Sequence, residues 1–243
     1  MVPLTRHGAR EMLIGTLVLV VMAYVVGLYV WWLSLLFIPI LVWLFAFFRD
    51  PVRLVPADES VMVSPADGKI SDITEVADDP HLGGPAIRIG IFLSVFNVHI
   101  NRSPCDAKVL TTIYKLGKFI NAMDHSRASD ENESNTVVLG EPVSEKPVAV
   151  VKQIVGLIAR RIVFTGKVGD HLSRGQRIGM IKFGSRTELT IPKSLEPQVM
   201  VQIGQTVRGG ADVVARLGKP IHTLVRKVDD SEVEKMAPRQ TPA

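Results

Sequence analysis

Met180-Ile-Lys-Phe-Gly-Ser-Arg-Thr-Glu-Leu-Thr-Ile-Pro192 sets two short apolar runs on either side of Gly184-Ser185. Runs of this length, broken by Gly and bounded by polar residues, read as strand, turn, strand. The same texture fills the chain from Arg49 onward. Val61 to Val63, Lys69 to Ile73, Ala86 to Leu93, Ala107 to Tyr114, Asn135 to Leu139, Val148 to Val155, Arg161 to Val163, Arg177 to Phe183, Glu188 to Ile191, Val199 to Ile203 and Asp212 to Ala215 are the candidate strands. Helical periodicity is scarce, and Gly156 to Arg160 is the best stretch of it. Residues 49–228 are therefore expected to form a mainly β domain, a sandwich or barrel-like assembly.

Two segments look alike, Gly166 to Gly175 and Val201 to Gly210. Each sets a Gly after an apolar residue, then an apolar residue, a basic residue and a second Gly. The pattern resembles the half-motif of biotinyl and lipoyl carrier domains, where Gly supplies the positive φ of a tight turn. From about Asp229 to Ala243 the chain is charged and lacks aromatics, and a disordered tail is expected at 229–243.

Ahead of the β region, Met12 to Phe48 runs 37 residues without a charged side chain. One straight helix of that length would span roughly 55 Å, against a hydrocarbon core of about 30 Å. Two short spans fit better, with the reversal near Tyr29, Trp31, Trp32 and Ser34, residues that favour the headgroup interface. Arg6 and Arg10 precede the run and Arg49 and Arg53 follow it, so the positive-inside rule puts both ends in the cytoplasm. Residues 1–48 are expected to be a membrane anchor of two short transmembrane helices, with the β domain on the cytoplasmic side of the inner membrane. A cleaved signal peptide would have a far shorter apolar region, and a single tilted helix would place the rest of the chain outside.

The net charge of +4 is modest and scattered, which does not fit a nucleic-acid-binding stripe but suits a surface against anionic lipid. Cys105 is the single cysteine, so an internal disulfide and a multi-cysteine zinc site are excluded. The six histidines show no i, i+4 pair, and no structural metal is expected.

Gly-Ser alone is usually a hairpin turn. Here it has company: Phe48-Arg49-Asp50-Pro51, Ser64-Pro65-Ala66-Asp67-Gly68, Phe92-Leu93-Ser94, Asn97-Val98-His99, Asn101-Arg102-Ser103-Pro104, Glu131-Asn132-Glu133 and Ala159-Arg160-Arg161. Together with Phe183-Gly184-Ser185-Arg186, and in this order, they resemble the short bacterial and archaeal form of phosphatidylserine decarboxylase, over roughly Arg49 to Leu217. A membrane hairpin ahead of them is also what that family leads one to expect.

The resemblance implies a self-cleaving enzyme. Ser185 would attack the carbonyl of Gly184, and elimination and hydrolysis would leave a pyruvoyl group, the cofactor, at position 185. The products, 1–184 and 185–243, would stay together as a heterodimer, with room left for a homo-oligomer. The pyruvoyl ketone would form a Schiff base with phosphatidylserine, lose carbon dioxide and release phosphatidylethanolamine, a step of phospholipid biosynthesis.

His99 is implied as base and proton donor, oriented by Asp67. Longer members carry a second His three residues after the first; this chain has Arg102 there, which leaves His99 as the candidate for both self-cleavage and decarboxylation. Arg102 is a candidate for binding substrate phosphate or carboxylate. Ser134 stands where the family usually has Arg. The remaining histidines, His7, His81, His125, His171 and His222, have no identifiable partner. Two rivals stand beside this reading. An adaptor of the carrier type lacks a modifiable Lys at a hairpin tip, and a serine hydrolase lacks the Gly-x-Ser-x-Gly elbow, Thr187 standing where the last Gly would be.

Overall fold

The structure is a computed structural model describing residues 3–120, 125–157, 161–182 and 184–221. Phe183, Ala159, Arg160, His222 and the expected tail at 229–243 lie outside the described residues. Helix α1 (Ala9–Tyr29) is followed at Val30 by a reversal, a 3-10 segment (Trp31–Leu36) and helix α2 (Phe37–Phe47). The turn falls among the interfacial aromatics, as expected. Only a small part of the α1 surface is covered by protein, and the helix is long and apolar enough to cross a membrane. The 3-10 segment and α2 make a shorter apolar return arm.

The β region comprises β1 (Val61–Val63), β2 (Gly68–Asp79), β3 (Gly84–Leu93), β4 (Ile100–Arg102), β5 (Ala107–Lys115), β6 (Ser134–Gly140), β7 (Pro147–Val155), β8 (Ile162–Phe164), β9 (His171–Leu172), β10 (Arg177–Ile181), β11 (Ser185–Pro192), β12 (Pro197–Val199), β13 (Thr206–Val207) and β14 (Val213–Leu217), with one short helix, α3 (His125–Glu131). The domain is mainly β, a curled sheet of half-barrel form behind a helical hairpin. Of the expected strands, Val199 to Ile203 departs most. Of its residues only Val199 lies in a strand; Met200 still donates to Val214 O at 2.9 Å, and a turn follows at Ile203 and Gly204, the latter at φ +90°. The helical expectation at Gly156 to Arg160 is not met at Gly156 and Leu157, which are irregular; the rest lies outside the described residues.

Strand order in the large antiparallel sheet is β13-β2-β3-β11-β7-β6-β5-β9, flanked by two three-stranded sheets, β1-β14-β12 and β4-β10-β8. This order is a palindrome. Exchanging β1, β2, β3, β11, β12, β13 and β14 with β4, β5, β6, β7, β8, β9 and β10 maps every sheet onto itself or its counterpart.

The local chemistry repeats too. Ser64-Pro65-Ala66-Asp67 leads into β2 and Ser103-Pro104-Cys105-Asp106 into β5. Ser64 Oγ donates to Ala66 O at 2.7 Å and Ser103 Oγ to Cys105 O at 2.7 Å. Asp67 Oδ1 accepts the Gly209 amide at 2.8 Å, and Asp106 Oδ1 accepts the Arg174 amide at 2.9 Å. The Gly175 and Gly210 amides reach Ser103 O and Ser64 O, both at 2.8 Å. The two segments that looked alike in sequence are thus equivalent parts of two interlocked halves.

Side chains alternate between the two faces of the sheet, and the central strands β6 and β11 are buried on both. Ile89, Ile91 and Leu93 of β3, Leu189 and Ile191 of β11, Val151 of β7 and Val137 and Leu139 of β6 share one face and pack against Met62, Val214 and Leu217 of the β1-β14-β12 sheet. A smaller cluster joins Met12, Leu44, Phe47 and Phe48 of the hairpin to Val98, Ile100 and Met180. It seats the hairpin foot on the β4-β10-β8 sheet.

If Asp106 is the structural counterpart of Asp67, Asp106→Ala leaves the Arg174 amide without its acceptor. Stability should drop by about 1–2 kcal/mol, seen as a melting temperature several degrees lower; an unchanged melt would contradict the assignment.

Candidate active site

Ser185 opens β11, the strand at the middle of the large sheet, and pairs with Leu93 of β3 on one side and Val155 of β7 on the other. It is fully buried, and its Oγ has no hydrogen-bond partner among the described residues. An unsatisfied buried hydroxyl costs about 1–3 kcal/mol. Gly184 precedes it at φ +59°, a left-handed conformation that a side chain would disfavour by about 1–2 kcal/mol. The Gly184-Ser185 peptide is therefore a glycine-requiring turn into an otherwise regular strand.

His99 reaches this peptide from the loop between β3 and β4. That loop is closed by Asn97, whose Oδ1 accepts from the Ser94 amide at 2.9 Å and the Ser94 hydroxyl at 2.7 Å. The Asn97 carbonyl then meets His99 Nδ1 at 3.0 Å, and His99 Nε2 meets the Gly184 amide at 3.3 Å. The tautomer follows from these partners. A carbonyl only accepts, so Nδ1 carries the proton; an amide N–H only donates, so Nε2 presents its lone pair to the Gly184 amide, one peptide before the Gly184-Ser185 bond.

Burial, opposed by the Asn97 carbonyl and assisted by Arg49, lowers the His99 pKa to about 4. The ring is thus a neutral base at neutral pH. Phe47, the last residue of α2, lies against it with ring centroids 4.4 Å apart, and Arg49 Nη2 donates to Phe96 O of the same loop at 2.7 Å.

A second contact lies one strand step along. Asn101 Nδ2 donates to Thr187 Oγ1 at 2.9 Å, Gln153 Nε2 to Asn101 Oδ1 at 2.9 Å, and Asn135 Nδ2 to Gln153 Oε1 at 3.0 Å. His99 and Asn101 sit two residues apart, as do Ser185 and Thr187. The amide chain therefore pins the β4 sheet to β11 in the register that brings His99 to Gly184. Sequence reading missed it because an Asn or Gln carries no chemical signature until its partner is known; the Asn101 motif was its only trace.

Asp67 is not brought to His99. Its carboxylate is bound by Arg53 at 2.5 Å and by the Gly209 amide. Burial raises its pKa while Arg53 and the Gly209 amide pull the other way. The expected orientation of the imidazole by Asp67 is thus replaced by the Asn97 carbonyl, because the repeated turn architecture already occupies the carboxylate.

Arg102 is buried as well, donating to Asp50 Oδ1, Pro51 O and Gly175 O, each at 3.0 Å. It ties the chain leaving the hairpin to β4, which does not fit the expected open substrate contact.

Arg186, on the opposite face of β11 from Ser185, is fully buried. It pairs with Asp72 at 2.7 Å and Glu188 at 3.0 Å. In the Glu131-Asn132-Glu133 motif, Asn132 Nδ2 donates to Val155 O at 2.8 Å, steadying the strand end beside Ser185. Ser134 pairs with Ile154 in the β6–β7 ladder. Lys182, two residues before Gly184, is paired with Glu11 of α1 at 2.6 Å.

A family model described as phosphatidylserine decarboxylase matches residues 40–215. The chain is 45% identical over 214 residues to a phosphatidylserine decarboxylase proenzyme of Rhodopirellula baltica, covering 88% of each chain. It is 46% identical over 186 residues to one of Carboxydothermus hydrogenoformans, covering 76% of this chain and 85% of that protein. To one of Neisseria meningitidis serogroup C it is 40% identical over 213 residues, covering 88% and 78%.

Two outcomes are expected. On acidification the unfolded chain protonates His99 near 6.5, whereas the folded chain resists until about 4. The stability contributed by neutral His99 is complete above 6.5 and lost as the pH falls toward 4, by about 3 kcal/mol in all; urea midpoints against a His99→Gln variant measure it, and a pH-independent difference would contradict it. Asn101→Leu leaves Thr187 and Gln153 with buried polar atoms unpaired, and should destabilise by about 2–4 kcal/mol in denaturant titrations.

Proposed function

The chain belongs to the phosphatidylserine decarboxylase family, and from that premise we propose that it cuts itself between Gly184 and Ser185 and decarboxylates phosphatidylserine with the group so formed. The observation that carries this is the buried, unpartnered Ser185 Oγ beside a left-handed Gly184 whose amide faces the free lone pair of His99. A hydroxyl that donates to nothing in the fold is free to be deprotonated, and the imidazole that meets the amide of the preceding residue is neutral and of fixed tautomer.

In the proposed cleavage, His99 Nε2 exchanges the Gly184 amide for the Ser185 hydroxyl proton. The oxygen attacks the Gly184 carbonyl, and the amide becomes an ester as the amine of residue 185 is freed. His99 then serves the elimination: loss of the α-proton expels the Gly184 carboxylate and leaves dehydroalanine. Water adds, ammonia leaves, and position 185 becomes a pyruvoyl group, for which the enclosed mouth of β11 is a fitting place. That group supplies the electron sink for loss of carbon dioxide from an amino-acid headgroup. His99 remains the one imidazole at this position to hold or return a proton. We assign Asp67 and Arg102 to the frame of the site and not to proton transfer.

Strand pairing on both sides of residue 185 supports retention of the two products as one heterodimer. The apolar hairpin supports a membrane setting, with both arms spanning and the arginines at their ends favouring the cytoplasmic face of the inner membrane. A foot seated on His99 through Phe47 suits a substrate presented only at the interface.

Denaturing electrophoresis with mass analysis tests this. Purified protein should give chains 1–184 and 185–243, the smaller lacking a free amino terminus, while Ser185→Ala stays whole; an intact parent chain would overturn the reading. Gly184→Ala should slow processing by about tenfold. The cleavage rate should be flat across neutral pH and fall below about pH 4 as His99 protonates.

A further inference from the structure

A cavity of about 380 Å³ lies at the foot of the hairpin, lined among others by Arg6, His7, Asp50, Ile100, Thr165 and Arg177. It is apart from the reaction centre, since neither Gly184, Ser185 nor His99 lines it. Its walls are the segment before α1, Asp50 three residues past α2, strands β4 and β10, and Thr165 just past β8. The two ends of the hairpin are stitched together beside it: the Thr5 amide donates to Phe48 O at 2.9 Å and the Asp50 amide to Pro3 O at 2.7 Å. The cavity therefore sits beside the points where the apolar helices begin and end, which for a membrane-spanning hairpin is headgroup height.

Its charge is unbalanced. Asp50 serves two guanidiniums, Arg102 at 3.0 Å and Arg177 at 2.5 Å. Arg6 has no carboxylate partner among the described residues, and His7 lines the cavity beside it. Burial depresses the Arg102 pKa, and Arg177 and Arg53 depress it further despite Asp50, so these cations repel one another. Two guanidiniums converging on a polar cavity form a forked, charge-assisted donor set suited to phosphate oxygens.

We propose that this cavity binds the phosphate of an anionic phospholipid beside the hairpin, at a site separate from the one where Ser185 reacts. The hairpin foot would then be held by lipid as well as by Phe47 and Lys182. Arg6 would be the principal contact and Arg177 the second, swinging between Asp50 and the ligand.

The test uses the full chain in neutral detergent micelles, titrated calorimetrically with dihexanoyl phosphatidylglycerol, dihexanoyl phosphatidylcholine and inorganic phosphate. Phosphatidylglycerol should bind saturably and about tenfold more tightly than phosphatidylcholine. Arg6→Gln, which removes no contact within the fold, should weaken it several-fold, and Arg6→Gln with Arg177→Gln by about tenfold or more. Processing at residue 184 should be unchanged in Arg6→Gln, as expected of a separate site. Equal binding by parent and both variants, or equal binding of the two lipids, would overturn the proposal. Inorganic phosphate binding as tightly as phosphatidylglycerol would assign the cavity to a free anion and overturn the lipid assignment. These readouts do not need Ser185 to cleave, so they fail independently of the self-processing reading.

Discussion

The contact between His99 Nε2 and the Gly184 amide spans two sheets that share no backbone ladder. β4, which follows His99, belongs to a three-stranded sheet, and β11, which Ser185 opens, to the eight-stranded one. Nothing in the ladders fixes one against the other at hydrogen-bond precision. The buried amide chain from Asn135 through Gln153 and Asn101 to Thr187 does so, because each member's partner is used and a slip would strand several polar groups away from water. Apolar packing could bring the sheets together but would not choose this register.

The hairpin is the other half of the constraint. Phe47 covers the imidazole, Arg49 holds the carbonyl of Phe96, and Glu11 pairs with Lys182. These contacts touch both chain segments that meet near Gly184, Glu11 coming from α1 and Phe47 from α2. The apolar cover also explains why His99 remains neutral: the ring is dry, its one polar neighbour on Nδ1 is a carbonyl, and the nearby charge is the positive Arg49. An element that looks in sequence like a mere anchor therefore takes part in setting the site's chemistry.

Much of this was legible in the residues and some could not have been. Alternation in Ala86 to Leu93 and Glu188 to Ile191 and the short apolar run at Val148 to Val151 expose the core strands. β4, β9 and β13 are too short to show a period, and α3 is a single helical segment with little apolar pattern. Gly184 and Ser185 announce themselves through neighbouring motifs. The orienter of His99 does not: it is a backbone carbonyl, which every residue possesses, so a side-chain reading turns naturally to Asp67. The repeated Ser-Pro-x-Asp at Ser64 and Ser103 was visible in principle, and it explains why Asp67 is occupied elsewhere. Asp106, its counterpart, does the same turn-closing work on the Arg174 amide.

The palindromic order of strands bears on what a severed chain would be. A break after residue 184 divides the molecule unevenly, because β11 to β14 lie on one side of it while their ladder partners β1, β2, β3 and β7 lie on the other. Neither piece contains a closed core. Dissociation and denaturation would then be one event, and unfolding would become bimolecular in reverse, so that the midpoint of the processed protein rises with its concentration while that of the uncut chain does not.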